Sequence, residues 1–219
     1  GIKFGTNLNA YTSIDETVYN ISNAPIDRAG VLDSCLLVLH DWSNYILLKD
    51  DEIDKERGVI REEWRSRNSG MLRVYTVLLP TIYLGDKYAD CMPIGSIDVI
   101  NNFPYKDIRD YYHKWYRPDL QCVIIVGDVD EAEYDNKVKE MFGQIPARVN
   151  PLERYEVEIP DRADLDYMLI LDPENRSKMI SFHQRAHRVE GLDELGRKSY
   201  SFKARIFNAI WGQRLARIV

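Results

Sequence analysis

The chain has 219 residues, a formal net charge of −6 and a pI near 5.3, with 45% hydrophobic and 29% charged residues. That composition belongs to a globular protein long enough for one large domain or two small ones. It carries no basic stripe of the kind a nucleic-acid binder shows, and no apolar run long enough to span a bilayer as a helix.

The elements follow in order. Residues 7–12 and 16–22 alternate like two strands, with Ser13-Ile14-Asp15 as the hairpin turn. Asn20-Ile-Ser22 fits a glycosylation sequon but falls in the second strand, which argues against its use. Pro25 opens a helical stretch to about Tyr45, in which Val31, Cys35, Leu36, Leu39 and Trp42 keep a helical period and His40 reads as a structural residue beside them. The acidic run 49–54 lacks the glycine and spacing of a calcium loop; it marks the start of a helix over 53–68, where acids complement the dipole. A further helix covers Met71 to Tyr83 despite Pro80, and residues 86–102 read as irregular. A helix begins at Pro104 and runs to Tyr116, its Tyr111, Tyr112, His113, Trp115 and Tyr116 forming an aromatic face expected in the core. After a turn at Arg117-Pro-Asp119, residues 121–128 form a continuous apolar strand of the type buried on both faces. Asp128 and Asp130 then cap a helix over 131–142 that Gly143 closes. A linker near 144–151 leads to strands at 155–159, 166–172 and 178–185, and to a helix over 198–218 with Phe202, Ile206, Ile210 and Leu215 on its apolar side.

Cys35, Cys91 and Cys122 are far apart, odd in number and without a Cys-x-x-Cys pair, which argues against a disulfide scaffold or a cysteine-rich zinc knuckle. No signal peptide opens the chain at Gly1. Both ends are expected to be cut, because the first residues run straight into a strand and the last lie inside an apolar helix. Exposed sheet edges in such a piece would favour homo-oligomers.

The stretch Ile53 to Arg67 carries the chemistry. On a helical wheel Ile53, Val59, Ile60 and Trp64 fall on one side, expected to face the core, and Glu56 and Glu63 fall in the same arc. The two acids are two turns apart, about 10 Å along the axis. A carboxylate on an apolar stripe needs an ion pair, hydrogen bonds or a metal. Two readings stand at this point: pairing with Arg or Lys of a neighbouring element, or one acid as a metal ligand supported by the other. His183-Gln-Arg-Ala-His187 has the i, i+4 spacing of a helical zinc pair, but no Glu lies between, and His183 sits in a predicted strand, where such residues stand about 13 Å apart.

Four blocks in order, Asn9-Ala-Tyr-Thr-Ser-x-x-Glu-Thr-Val-Tyr19, Glu56-Arg-Gly-Val-Ile-x-x-Glu63, His113-Lys-Trp-Tyr-Arg-Pro118 and Val126-Gly-Asp128, resemble the pitrilysin/insulinase/mitochondrial processing peptidase family of zinc metallopeptidases. Met179-Ile-Ser-Phe182 and Gln213-Arg-Leu215 resemble the start of that family's second homologous domain. The resemblance implies an α+β fold, a mixed or antiparallel sheet with helices on one face, in a tandem pair of homologous domains. Residues 1–146 would be most of the first, 147–154 the linker and 155–219 the start of the second.

It also implies zinc held by two histidines of a His-x-x-Glu-His motif and by a distal glutamate, which is Glu63 here, with Glu56 assisting. Asn9, Ala10, Tyr11 and Thr12 would receive a peptide substrate as an added strand. The wording is closest to exported bacterial members, which implies a periplasmic or cell-envelope location. These 219 residues contain no His-x-x-Glu-His. The chain alone is therefore expected to lack two ligands and the general base, to bind no site-specific zinc and to be inactive. Its partners would be the remaining domains of a longer protein or a homologous subunit. Two rival expectations are a non-catalytic partner subunit of the same family and a peptide-binding module without chemistry.

Overall fold

A computed structural model describes residues 6–157, 159–162, 164–176, 178–183 and 190–217. The chain divides into two compact units, residues 1–177 and 178–219. The architecture is α+β. In the first unit, β1 (Leu8–Thr12) and β2 (Thr17–Ile21) pair antiparallel with Ala10 opposite Tyr19. The helices of this unit are α1 (Val31–Asn44), α2 (Asp50–Arg67), α3 (Gly70–Tyr83), α4 (Ile97–Asn102), α5 (Tyr105–Trp115) and α6 (Glu131–Phe142). The second unit contains α7 (Glu194–Leu215).

Local chemistry explains most helix ends. Asp50, Asp51 and Glu52 occupy the first turn of α2, and Arg65 and Arg67 its last, both favourable to the helix dipole. The Ser69 hydroxyl accepts from Leu72 N–H at the start of α3, and the Asp130 carboxylate accepts from Glu133 N–H at the start of α6. Pro80 lies in the last turn of α3, and Leu84 and Gly85, both at positive φ, end that helix. α1 starts at Val31 rather than near Pro25, because Gly30 takes a left-handed conformation at φ 77° and breaks the turn before it. Within 86–102, expected to be irregular, the structure holds a 3₁₀ turn at Lys87–Ala89 and α4, whose cap is the Ser96 hydroxyl accepting from Val99 N–H.

The core lies among the helices of the first unit: Leu36, Ile53, Leu79, Ile100, Tyr112 and Ile145 are buried, Leu79 completely. α2 packs on α4, α1 on α6 and on β2, and α3 on the turn at 87–89. The His40 ring stacks near Tyr45 (4.8 Å) and meets the Phe142 ring edge-on (5.4 Å), a structural role as expected. Of the cysteines only Cys35 is buried; Cys91 and Cys122 are exposed.

The strands expected at 121–128, 155–159, 166–172 and 178–185 form no ladder among the described residues. Ile124 is 75% and Val126 92% exposed, where burial on both faces was expected. The reason is physical: a helix satisfies its own backbone groups, but a strand needs a neighbour to supply its hydrogen bonds. Residues 144–151, read as linker, are fastened to the body. Ile145 is buried, Arg148 Nε donates to His113 O (2.9 Å), and Arg148 Nη2 donates to Asn44 Oδ1 (2.8 Å).

Candidate functional site

The hairpin is built by short-range bonds. Ser13 N–H donates to Glu16 O (2.8 Å), and the Ser13 hydroxyl accepts from Asp15 and Glu16 N–H (both 3.3 Å). Beside the turn, the Thr12 and Thr17 hydroxyls share a 3.1 Å bond. The Tyr88 hydroxyl donates to the Asp15 carboxylate and ties the turn to the segment after α3. That bond holds the Tyr88 phenol up at about 12. On the other strand, Tyr19 packs on Trp42 (5.5 Å between rings), and its hydroxyl lies 2.6 Å from that of Tyr116. Burial pushes both phenols up. The hairpin is thus anchored through β2, and β1 is the outer strand. Asn9, Ala10, Tyr11 and Thr12 are all exposed, and β1 pairs with β2 alone among the described residues. Alternate residues of such a strand point their N–H and C=O groups away from the partner, free to accept another strand.

The structure corrects the expected burial of the α2 stripe. Ile53 is buried, but Val59 is 58% and Ile60 37% exposed, Trp64 is half-buried, and Glu56 on the same side is exposed. Along this face only Ile53 is fully buried, so the acids need no buried counter-charge. Glu63 is half-buried and pairs with Arg67 one turn later on the same helix (2.7 Å), not with a neighbouring element. Glu56 sits on the rim of a cleft of about 660 Å³ lined by Trp42, Ile46, Leu48, Ile53, Ile60 and Phe103.

Sequence reasoning missed Arg57, the residue that sets the rotation of α2. Its Nη1 donates to Ile100 O (2.6 Å), its Nη2 to Phe103 O (3.0 Å), and its guanidinium lies 3.8 Å from the centre of the Phe103 ring. The signal available was its position one turn after Ile53, on the side the core requires. Arg117 in the third block was also missed. It is buried, its Nη1 donates to Leu152 O (2.6 Å), and its Nε lies 3.2 Å from the Asp119 carboxylate without hydrogen-bond alignment.

No three His, Cys, Asp or Glu side chains converge among the described residues. α2 offers the carboxylates of Glu63 and Glu56. Of the histidine pair, His183 lies outside any helix and His187 lies outside the described residues. No hydrogen bond or ion pair joins Asn9–Thr12 to either acid among the described residues.

Residues 2–89 match the family described as insulinase (peptidase family M16), and residues 102–194 match the peptidase M16 inactive domain. The chain belongs to the insulinase family. The probable zinc protease PqqL of Escherichia coli is 31% identical over 98% of this chain and 23% of its own length. The probable zinc protease PqqL of Haemophilus influenzae is 37% identical over 73% of this chain and 17% of its own length. The crystal structure of the first half of the periplasmic protease PqqL from Escherichia coli superposes with a TM-score of 0.65. It is 32% identical in sequence, over 72% of this chain and 33% of that one. The chain thus spans less than a quarter of the length of these two curated insulinase-family relatives. No helix among the described residues is long and apolar enough to cross a membrane.

Proposed function

We propose that this chain is part of a zinc metallopeptidase that hydrolyses peptide bonds in the periplasm. In that reading Glu63 is the carboxylate ligand, Glu56 assists it, and the outer edge of β1 at Asn9, Ala10, Tyr11 and Thr12 receives the substrate backbone. The supporting observation is the pair of acids two turns apart on one exposed face of α2, inside the region that matches the insulinase family. A half-exposed carboxylate held only by a one-turn ion pair can exchange Arg67 for a metal at small cost, because surface pairs contribute little.

Zinc in such enzymes polarises the carbonyl and lowers the pKa of a bound water. The histidine ligands and base implied by the resemblance are not among these 219 residues. The share of this chain is one ligand, an assisting acid and a strand edge, and by itself it is proposed to hold no zinc and cleave nothing. The rest of the longer protein would supply the histidine ligands and the base. Residues 1–146 and 155–219 would belong to successive homologous domains.

Zinc content of the full-length protein, wild type beside Glu63→Gln, tests this reading. About one zinc per chain in the wild type, lost in the variant, supports it. Equal zinc in both removes Glu63 from the site. Zinc in neither favours a second reading, a non-catalytic member of the family.

A further inference from the structure

Residues 165–171, Leu-Asp-Tyr-Met-Leu-Ile-Leu, have the composition of a strand but pair with none among the described residues. Leu165, Tyr167, Leu169 and Leu171 are 94%, 92%, 81% and 84% exposed, so apolar burial contributes little to holding the segment in place. Its end is nonetheless firmly bound. Arg73 of α3 donates from Nε to Asp172 Oδ2 (2.7 Å) and from Nη2 to Asp172 Oδ1 (3.0 Å), a bidentate pair across 99 positions of sequence. The same Nη2 donates to Glu174 (2.8 Å). Asp172 Oδ1 also accepts from Glu174 N–H (3.0 Å) and Asn175 N–H (3.2 Å), and its side chain is 7% exposed. The carboxylate comes so close to the first turn of α3 that a Cβ on Gly70 would stand 2.6 Å from Asp172 Oδ1.

We propose that Arg73, Asp172 and Glu174, seated against Gly70, form an electrostatic latch that straps the segment 165–176 to the corner between α2 and α3. The strap is held mainly by charge, so screening salt loosens it. Release frees an apolar, strand-competent stretch of chain to pair elsewhere. This inference is independent of the peptidase reading.

The test is amide hydrogen exchange across 165–176 in the chain and in two variants. Arg73→Met removes the cation. Gly70→Ala keeps every charge and would ordinarily favour a helix, but it places a methyl where Asp172 docks. Both variants should exchange the Glu174 and Asn175 amides roughly threefold to tenfold faster than wild type, the scale of losing charged hydrogen bonds at a partly exposed site. Raising salt should produce a smaller change of the same sign in the wild type and little further change in Arg73→Met. Wild-type exchange in Arg73→Met overturns the latch whatever the Gly70 variant does. Wild-type exchange in Gly70→Ala, with a raised melting temperature, overturns the docking at Gly70.

Discussion

Helix α5 is 11 residues long and buries Tyr112, whereas α7, at 22 residues, buries none of its described side chains. Both carry aromatic and aliphatic residues at helical spacing. In α5 the pattern meets a partner: the Tyr112 hydroxyl donates to Trp42 O (2.8 Å) and accepts from Ile46 N–H (3.4 Å), and its ring lies 4.5 Å from that of Tyr116. In α7, Phe202, Ile206 and Ile210 remain 58%, 45% and 50% exposed, and Phe207 and Trp211 stack on each other. Even in α5 the face is narrower than its aromatics suggest, since Tyr111 is 58% exposed. An amphipathic period states that a face can be buried; only a partner buries it.

Four measurements break or sharpen this contrast. The largest effect is expected in the core: Leu79→Ala, at a fully buried position, should cost about 2–5 kcal/mol in denaturant unfolding. Phe207→Ala in α7 should stay within about 0.5 kcal/mol, as exposed positions do, and an equal cost at both sites would erase the contrast. Next is Arg57→Met, which leaves two carbonyls near α4 without their donor and should cost about 2–3 kcal/mol. Tyr116→Phe removes the bond to Tyr19 and should cost about 1 kcal/mol by the same measurement.

The smallest effect concerns pH. The hydrogen bond from Arg73 holds the Asp172 carboxyl below its usual range. A depressed folded pKa stabilises above the ordinary value and loses that contribution only as pH falls through the depressed one. Protection of the Glu174 and Asn175 amides should therefore persist at about pH 4, where ordinary carboxylates are half protonated, and fall in stronger acid. Loss already at pH 5 would detach that protection from the Arg73–Asp172 pair.

Much of the fold was legible because its signals are local. The acidic first turn of α2, the Asp130 cap and the hairpin turn at Ser13 concern residues within one turn of each other. The brief helix α4 had its signal too, Ser96 as cap, but it is too short to show a period. The four strands read beyond residue 120 form no ladder among the described residues, since an apolar run reports hydrophobicity and says nothing about the availability of a neighbour. For the site, the wheel placed Glu56 and Glu63 on one face of α2, and the structure keeps them there. It did not show that this face is open, because exposure depends on which other elements arrive.

By itself, the sequence determined the longer helices of this chain, the hairpin, the shared face of the two acids and the resemblance to the insulinase family. Each follows from propensity, capping or spacing along a few consecutive turns. Only the tertiary structure decided that Arg57 grips Ile100 and Phe103, that Arg73 holds Asp172 from 99 residues away, and that Glu63 pairs within its own helix. Those contacts depend on which surfaces meet, and no local pattern of residues encodes a distance between parts of a chain so far apart in sequence.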